Sequence, residues 1–211
     1  MSIVESRSDE LREDFPPKQR HLIRATYTEI SAKGVHRVSL QDIADRADVS
    51  KGVILYYFNT KENLILRTMQ WVLSRTSERI KQAVATARSA EEQVIAMIDV
   101  IFLGPDANRR FYLTYVDLLD YAARVDEFGK LNATFHAIVN GAYAEVIERG
   151  VEEGEFRVAD VAEAATIVRA IVDGLFLQWL QETDWRGLHA RYQEMCQMAV
   201  LTFLRASPHQ G

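Results

Sequence analysis

Cysteine is almost missing from this chain. Cys196 stands alone among 211 residues, so no internal disulfide framework can hold the fold, and a reducing, cytoplasmic setting is expected. Proline and glycine are scarce too, four and ten, which disfavours a fold of short strands and tight turns and leaves room for long helices. No apolar run approaches the width of a bilayer: the most apolar stretch, Val94 to Leu103, is interrupted by Asp99, so no membrane partner is expected. The polar, acidic N-terminus lacks the pattern of a secretory leader. His21, His36, His136, His189 and His209 show no ligand spacing, which argues against a zinc or iron centre. There is no glycine-rich phosphate loop and no Gly-x-Ser-x-Gly elbow, and Cys196, in an apolar helical stretch, reads as a small buried hydrophobe. Neither catalysis nor a cofactor is expected.

What is present suffices for a sizeable core, 48% hydrophobic residues against 26% charged, in one or two domains. The formal net charge of −5 argues at first against nucleic acid, but its distribution reverses that. Residues 1–15 hold five acidic side chains against two basic. Residues 16–61 hold eight basic (Lys18, Arg20, Arg24, Lys33, Arg37, Arg46, Lys51, Lys61) against four acidic (Glu29, Asp42, Asp45, Asp48), and the remainder is acidic. A basic segment on an acidic body is the electrostatic footprint of a nucleic-acid module.

Within that basic segment, Val38 to Phe58 carries the most information. Ser39 followed three residues later by Asp42 is a capping box that opens a short helix at Leu40. Leu40, Ile43, Ala44 and Ala47 fall on one face, and the small Ala44 lets a second helix cross closely. The pattern breaks at Asp48-Val49-Ser50: Asp tolerates the left-handed backbone of a tight turn, and Ser50 is placed to cap the next helix. That helix, Lys51 to Tyr57, turns Ile54 and Tyr57 inward. Two short helices joined by a tight turn are a helix-turn-helix, whose second member enters the DNA major groove.

Before it, residues 1–15 read as a disordered tail. Pro16-Pro17 starts a helix that runs to Lys33, buries Ile23, Tyr27 and Ile30 and stops at Gly34. After it, Asn59 or Thr60 opens a long helix whose apolar positions keep helical spacing from Ile65 to Ala87. Five more helices follow at about 90–103, 105–124, 126–152, 160–181 and 185–205, with Pro105 in a first turn, Gly150 and Gly154 ending one helix and Asp160 with Glu163 opening the next. The expectation is an all-α chain of nine helices, organised as a tail at 1–15, a helix-turn-helix domain at 16–62 and a helical ligand-binding and dimerisation domain at 63–211.

Gly34, Ser39-Leu40-Gln41-Asp42-Ile43-Ala44, Val49-Ser50-Lys51-Gly52, Tyr56-Tyr57-Phe58 and Thr60-Lys61-Glu62-Asn63-Leu64 stand at the offsets found in the TetR family of bacterial transcriptional regulators, which the chain resembles here. Asp48, Val53 and Leu55 depart from the commonest pattern, the last two on the reading helix, so an operator cannot be copied from a relative. Gly52-Val53-Ile54 with Tyr57-Phe58, and Gly154-Glu155-Phe156, resemble the BetI-like branch. The resemblance implies a homodimer on a palindromic double-stranded operator, released by a small-molecule inducer. It also implies that the long fourth helix is a lever between reading head and body, and that the last two helices are the dimer interface.

Candidate DNA contacts are Ser39, Gln41, Ser50, Lys51, Gly52, Val53, Tyr56 and Lys61. Lys51 can reach phosphate or guanine, Gly52 lets backbone approach, Val53 can meet a thymine methyl, Tyr56 points outward with its hydroxyl, and Ser39, Gln41 and Lys61 can reach phosphate. Candidate pocket residues are Trp71, Asp99, Phe102, Phe111, Tyr115, Tyr121, Phe135, His136 and Trp179; they fit an aromatic helical core as well as a cavity for an apolar or cationic ligand. Among them Asp99 stands out for its apolar neighbours in sequence. Candidate dimer residues are Val168, Ile171, Val172, Leu175, Tyr192, Met195, Ala199 and Thr202, from arcs wider than one small bundle needs. The competing reading is an all-helical small-molecule-binding protein without sequence-specific DNA binding.

Overall fold

The computed structural model describes residues 15–124 and 126–206, with the backbone alone for residue 122 and residues 126–136. Among the described residues there are nine α-helices and no strand: α1 Pro17–Lys33, α2 Leu40–Arg46, α3 Lys51–Phe58, α4 Lys61–Val84, α5 Ala90–Ile101, α6 Pro105–Ala123, α7 Asp126–Glu152, α8 Val161–Trp179 and α9 Trp185–Arg205. The order and type follow the hydrophobic spacing, and the ends move by a turn or less where no strong stop exists. Thus α4 ends at Val84 instead of near Ala87, and α8 at Trp179 instead of near Gln181. No described helix is long and apolar enough to cross a membrane. The expectation for residues 1–14 lies outside the described residues; Phe15, placed at the end of that tail, is buried, and its carbonyl accepts from Arg20.

The chain forms two compact units. The first comprises the described residues up to Arg75 together with Leu113–Phe135, and the second Thr76–Tyr112 with the described residues from His136 onward. In the first, α1 packs on α2 and α2 on α3, over fully buried Leu22, Ile23, Ile43, Ile54 and Leu64. Fully burying a side chain of this size contributes about 1.5–3 kcal/mol. The same unit carries a buried charge, Glu29, which pairs with Lys33 at 2.8 Å and with Arg46. Lys33 also reaches Asp42 at 2.6 Å, so one ammonium ties α1 to the cap of α2. Those bonds, Lys33 first, hold the Glu29 carboxyl below its ordinary range. Gly34, at φ +84°, ends α1 with its amide on the Ile30 carbonyl. The corner is then gripped by α6: Ser31 and Thr114 share a hydrogen bond of 2.9 Å, and the Val35 amide donates to Asp117.

In the second unit α9 packs on α8 and on α5, around Trp179, Phe176, Val168, Cys196 and Val200. Burial pushes the Cys196 thiol up to about 12, so it stays a protonated apolar group. Gly150, inside α7, is required by shape: a β-carbon there would run into the ring of buried Phe156.

Candidate nucleic-acid interface and regulatory body

The capping box forms as its spacing demands. The Ser39 hydroxyl accepts from the Asp42 amide while the Asp42 carboxylate accepts from the Ser39 amide; Lys33 foremost, and then these Ser39 bonds, hold the Asp42 carboxyl well below the usual range. The turn after α2 is made possible by Asp48 at φ +50°. It is braced from behind by His21, whose Nε2–H donates to the Ala47 carbonyl at 3.0 Å, because a carbonyl can only accept. Sequence reasoning gave His21 no role. At the far end of α3, Asn59 takes φ +60°, the Asn63 side chain donates to the Phe58 carbonyl, and Thr60 caps α4 through the Asn63 amide. α3 is therefore held by a braced turn before it, by short polar bonds at its C-terminal end and along its back by Ile54 and Phe58, both buried.

Its open side is well defined. Lys51, Gly52, Leu55, Tyr56 and Asn59 are exposed, Val53 and Tyr57 are half-buried, and Tyr56 reaches 80% exposure with its ring edge-on to Tyr57 at 5.0 Å. The inward placement expected of Tyr57 is thus only partial, Phe58 taking the core position. Ser50 sits at the N-cap in extended backbone, but its side chain makes no cap bond, contrary to the capping expected of it; the first-turn amides of α3 have no side-chain acceptor, the arrangement that suits a phosphate. Gly52 has ordinary helical backbone, and a β-carbon there would meet nothing nearer than the Ser50 hydroxyl at 3.6 Å. Glycine costs about 0.5–1 kcal/mol against alanine in a helix, and nothing within the subunit requires it.

The remaining candidates are more committed. Both donors of Ser39 go to Asp42, and the Gln41 amide donates to Asp45 at 2.6 Å. Lys61 lies half-buried in the first turn of α4.

The candidate pocket residues do not fall together. Trp71, Tyr115 and Tyr121 belong to the first unit, Trp71 meeting Tyr27 edge-on at 6.4 Å and Tyr121 packing on His36 at 5.7 Å, while Tyr115 is buried. Phe102, Phe111 and Trp179 belong to the second. There Phe176 is stacked on Phe102 at 4.2 Å and on Tyr112 at 3.9 Å, Tyr112 meets Phe111 edge-on, and Trp179 closes the group against Phe176, Trp185 and His189. The side chains of Phe135 and His136 lie outside the described residues. Asp99 does have polar company: it is exposed on α5 and accepts from Gln193 and Gln197, both at 2.7 Å.

Two polar centres of the body escaped the sequence. His189 is buried and donates to the Asn108 side-chain oxygen at 2.9 Å, which also accepts from the Gly104 amide, while the Asn108 amide reaches the Ile101 carbonyl. Burial holds the His189 pKa down, so the ring is neutral. Arg169, also buried, lies 3.4 Å from Asp173 and 3.5 Å from the Asn140 side-chain oxygen. Burial raises the Asp173 carboxyl against the pull of Arg169 and the Tyr112 hydroxyl. Arg169 and Asp173 are four apart on α8, but Asn140 and Tyr112 come from other helices, so the four form no sequence motif.

The candidate dimer set divides in two. Val168, Val172 and Tyr192 are buried within the chain; Ile171, Leu175, Met195 and Ala199 are half-buried, and Thr202 is exposed. Outward on the same helices stand Ile167, Leu177 and Met198, the last 64% exposed.

A basic, end-braced helix-turn-helix joined to an all-helical body defines a class, the helix-turn-helix regulatory proteins. The comparisons give the family: residues 22–68 match the model for bacterial regulatory proteins of the tetR family, and residues 90–205 that for the C-terminal part of BetI-type transcriptional repressors. The chain belongs to the TetR family, with a body of BetI type. It is 37% identical over 70 residues to the HTH-type transcriptional regulator BetI of Yersinia pestis strain Pestoides F, a match covering 33% of this chain and 35% of that one. The chain thus spans about a third of the length of the Yersinia relatives it matches. It is 27% identical over 148 residues to BetI of Vibrio campbellii, covering 64% and 74%. Among solved structures, a TetR-family regulator from Rhodococcus sp. superposes with a TM-score of 0.77 at 19% identity, covering 89% of this chain and 98% of that one. A transcriptional regulator from Saccharomonospora viridis, in complex with choline, gives 0.71 at 20%, covering 88% and 94%.

Proposed function

We propose that the protein is a DNA-binding transcriptional regulator of the repressor type, which binds a palindromic operator as a homodimer and is released by a small molecule held in its body. The observation that carries this is the open side of α3, where Lys51, Gly52, Leu55 and Tyr56 face solvent together on a helix whose back, C-terminal end and preceding turn are fixed. Lys51, Ser50 and the uncapped amides suit phosphate, and Gly52 suits close approach to the groove. Val53 stands at the flank of that side, and Ser39, Gln41 and Lys61 border it as phosphate contacts. We take residues 16–62 as the reading domain and 63–211 as the body. The half-exposed apolar positions Ile171, Leu175, Met195 and Ala199, with Thr202 and the outward Ile167, Leu177 and Met198, support pairing of two copies through α8 and α9. Val168, Val172 and Tyr192 would support that surface from behind. Two reading helices about 34 Å apart would then meet successive turns of the groove.

For the inducer, the pocket candidates of the second unit, Phe102, Phe111 and Trp179, adjoin an aromatic stack. Aromatic faces attract an organic cation, and a protein of the same fold holds choline. The inducer acts by preferring the conformation that reads DNA poorly.

The test is a gel-shift titration of the full chain against a selected palindrome across a salt series. Affinity should fall steeply as salt rises. Lys51→Ala and Tyr56→Ala should each weaken binding about tenfold or more, with the oligomeric state unchanged. Binding that ignores sequence, or that both variants leave untouched, would favour the plain binding-module reading instead.

A further inference from the structure

We infer that Leu55 reads the 5-methyl group of one thymine in each half of the operator, an inference that rests on α3 being the groove helix. On α3 the residues at spacing three and four, Gly52, Leu55, Tyr56 and Asn59, form one exposed row, and Leu55 lies in the middle of it, 40% exposed. A single exposed leucine is ordinary on a protein surface. This one is set apart by its neighbours. Helical side chains lean toward the helix N-terminus, so Leu55 leans over the turn holding Lys51 and Gly52, where the missing β-carbon leaves the backbone bare and nothing nearer than 3.6 Å would meet one. A flat base edge can reach Leu55 across that gap.

The chemistry then narrows the choice. Leucine has no donor and no acceptor, so it cannot recognise guanine, adenine or cytosine by hydrogen bonding; the feature of a base pair that an apolar side chain recognises in the major groove is the thymine methyl. Val53, the apolar contact expected from the sequence, is half-buried at the flank of the row, which leaves Leu55 as the aliphatic group facing outward, beside the Tyr56 ring. Lys51 and the Tyr56 hydroxyl remain for polar contacts.

The experiment takes the full chain and a duplex selected for binding from a randomised pool, then replaces each thymine singly by deoxyuridine, which deletes the methyl alone. Fluorescence anisotropy should show one thymine per half-site whose replacement weakens binding on the order of fourfold, and about fifteenfold when both symmetric positions are changed. Leu55→Ala should bind the thymine and uracil duplexes equally, whereas Leu55→Met should keep the discrimination. Should no thymine be sensitive, or should Leu55→Ala keep the full uracil penalty, the inference falls while the regulator reading stands. If the wild-type chain selects no duplex at all, both fall together. The uracil scan on the wild-type protein decides whether a thymine methyl is read at all, and Leu55→Met, which keeps the volume of the side chain, separates loss of that reading in Leu55→Ala from misfolding.

Discussion

The module around α2 and α3 and the body around α8 and α9 are both helix pairs, yet they use their residues in opposite ways. In the module, single positions carry separate roles, with a cap at Ser39 and Asp42, a left-handed turn at Asp48, a brace at His21 and an open row from Lys51 to Asn59. In the body, Phe176, Trp179, Val168 and Val200 act as a volume, where what counts is that the space is filled. A module of short-range bonds is readable as a motif and sensitive to exact chemistry. A packed volume tolerates exchange of like for like and fails when a large piece is removed.

Phe176→Ala is the severest way to break that contrast. It deletes the middle ring of the stack with Phe102 and Tyr112 and should cost about 3–5 kcal/mol, read as a large fall in the melting midpoint followed by circular dichroism. Next comes Gly52→Ala. Helix propensity should raise stability by about 0.5–1 kcal/mol, while operator affinity falls several-fold because the added carbon stands on the open row; gain in both would remove the case for close approach. Ser39→Ala should cost about 1 kcal/mol through loss of the cap, seen as a shift in the urea midpoint.

The mildest test is acid, and it should separate the two regions. His189 in the body has a depressed pKa, so its contribution is complete above the unfolded value of about 6.5 and is lost as pH falls through the folded one. Glu29 and Asp42 in the module are also depressed, but from unfolded values near 4.3 and 3.9, so their contribution persists to about pH 5 and is lost below that. On slow acidification, near-ultraviolet signals of the body tryptophans Trp179 and Trp185 should weaken before those of the module tyrosines. His189→Gln should remove the earlier phase; an earlier phase that survives it would assign that phase elsewhere.

The same contrast explains how much the sequence disclosed. Helix order, the Ser39 cap, the turn at Asp48 and the stop at Gly34 were legible because each depends on residues three or four apart. Ser50 was misjudged because position alone does not say whether a hydroxyl turns toward the helix. Asp99 looked isolated because its partners, Gln193 and Gln197, come from α9. Asn140 beside Arg169 and Tyr112 beside Asp173 gave no local signal for the same reason, since they come from α7 and α6, while Arg169 and Asp173 themselves are four apart on α8. Leu55 was recognised as a departure from the family pattern, but its outward aim came only from the structure.

Except at Asn59, the supports of α3 stay out of its open row: His21 holds the Ala47 carbonyl, Asn63 holds the Phe58 carbonyl, and Ile54 and Phe58 face inward. Lys51, Leu55 and Tyr56 can therefore be rewritten as a set without disturbing what keeps the helix in place, whereas Asn59, at φ +60° with its amide on the Leu55 carbonyl, belongs to the support. If α3 reads the operator as proposed, scaffold and address stand on separate residues, and a library confined to those positions would retarget such a switch by varying the address alone.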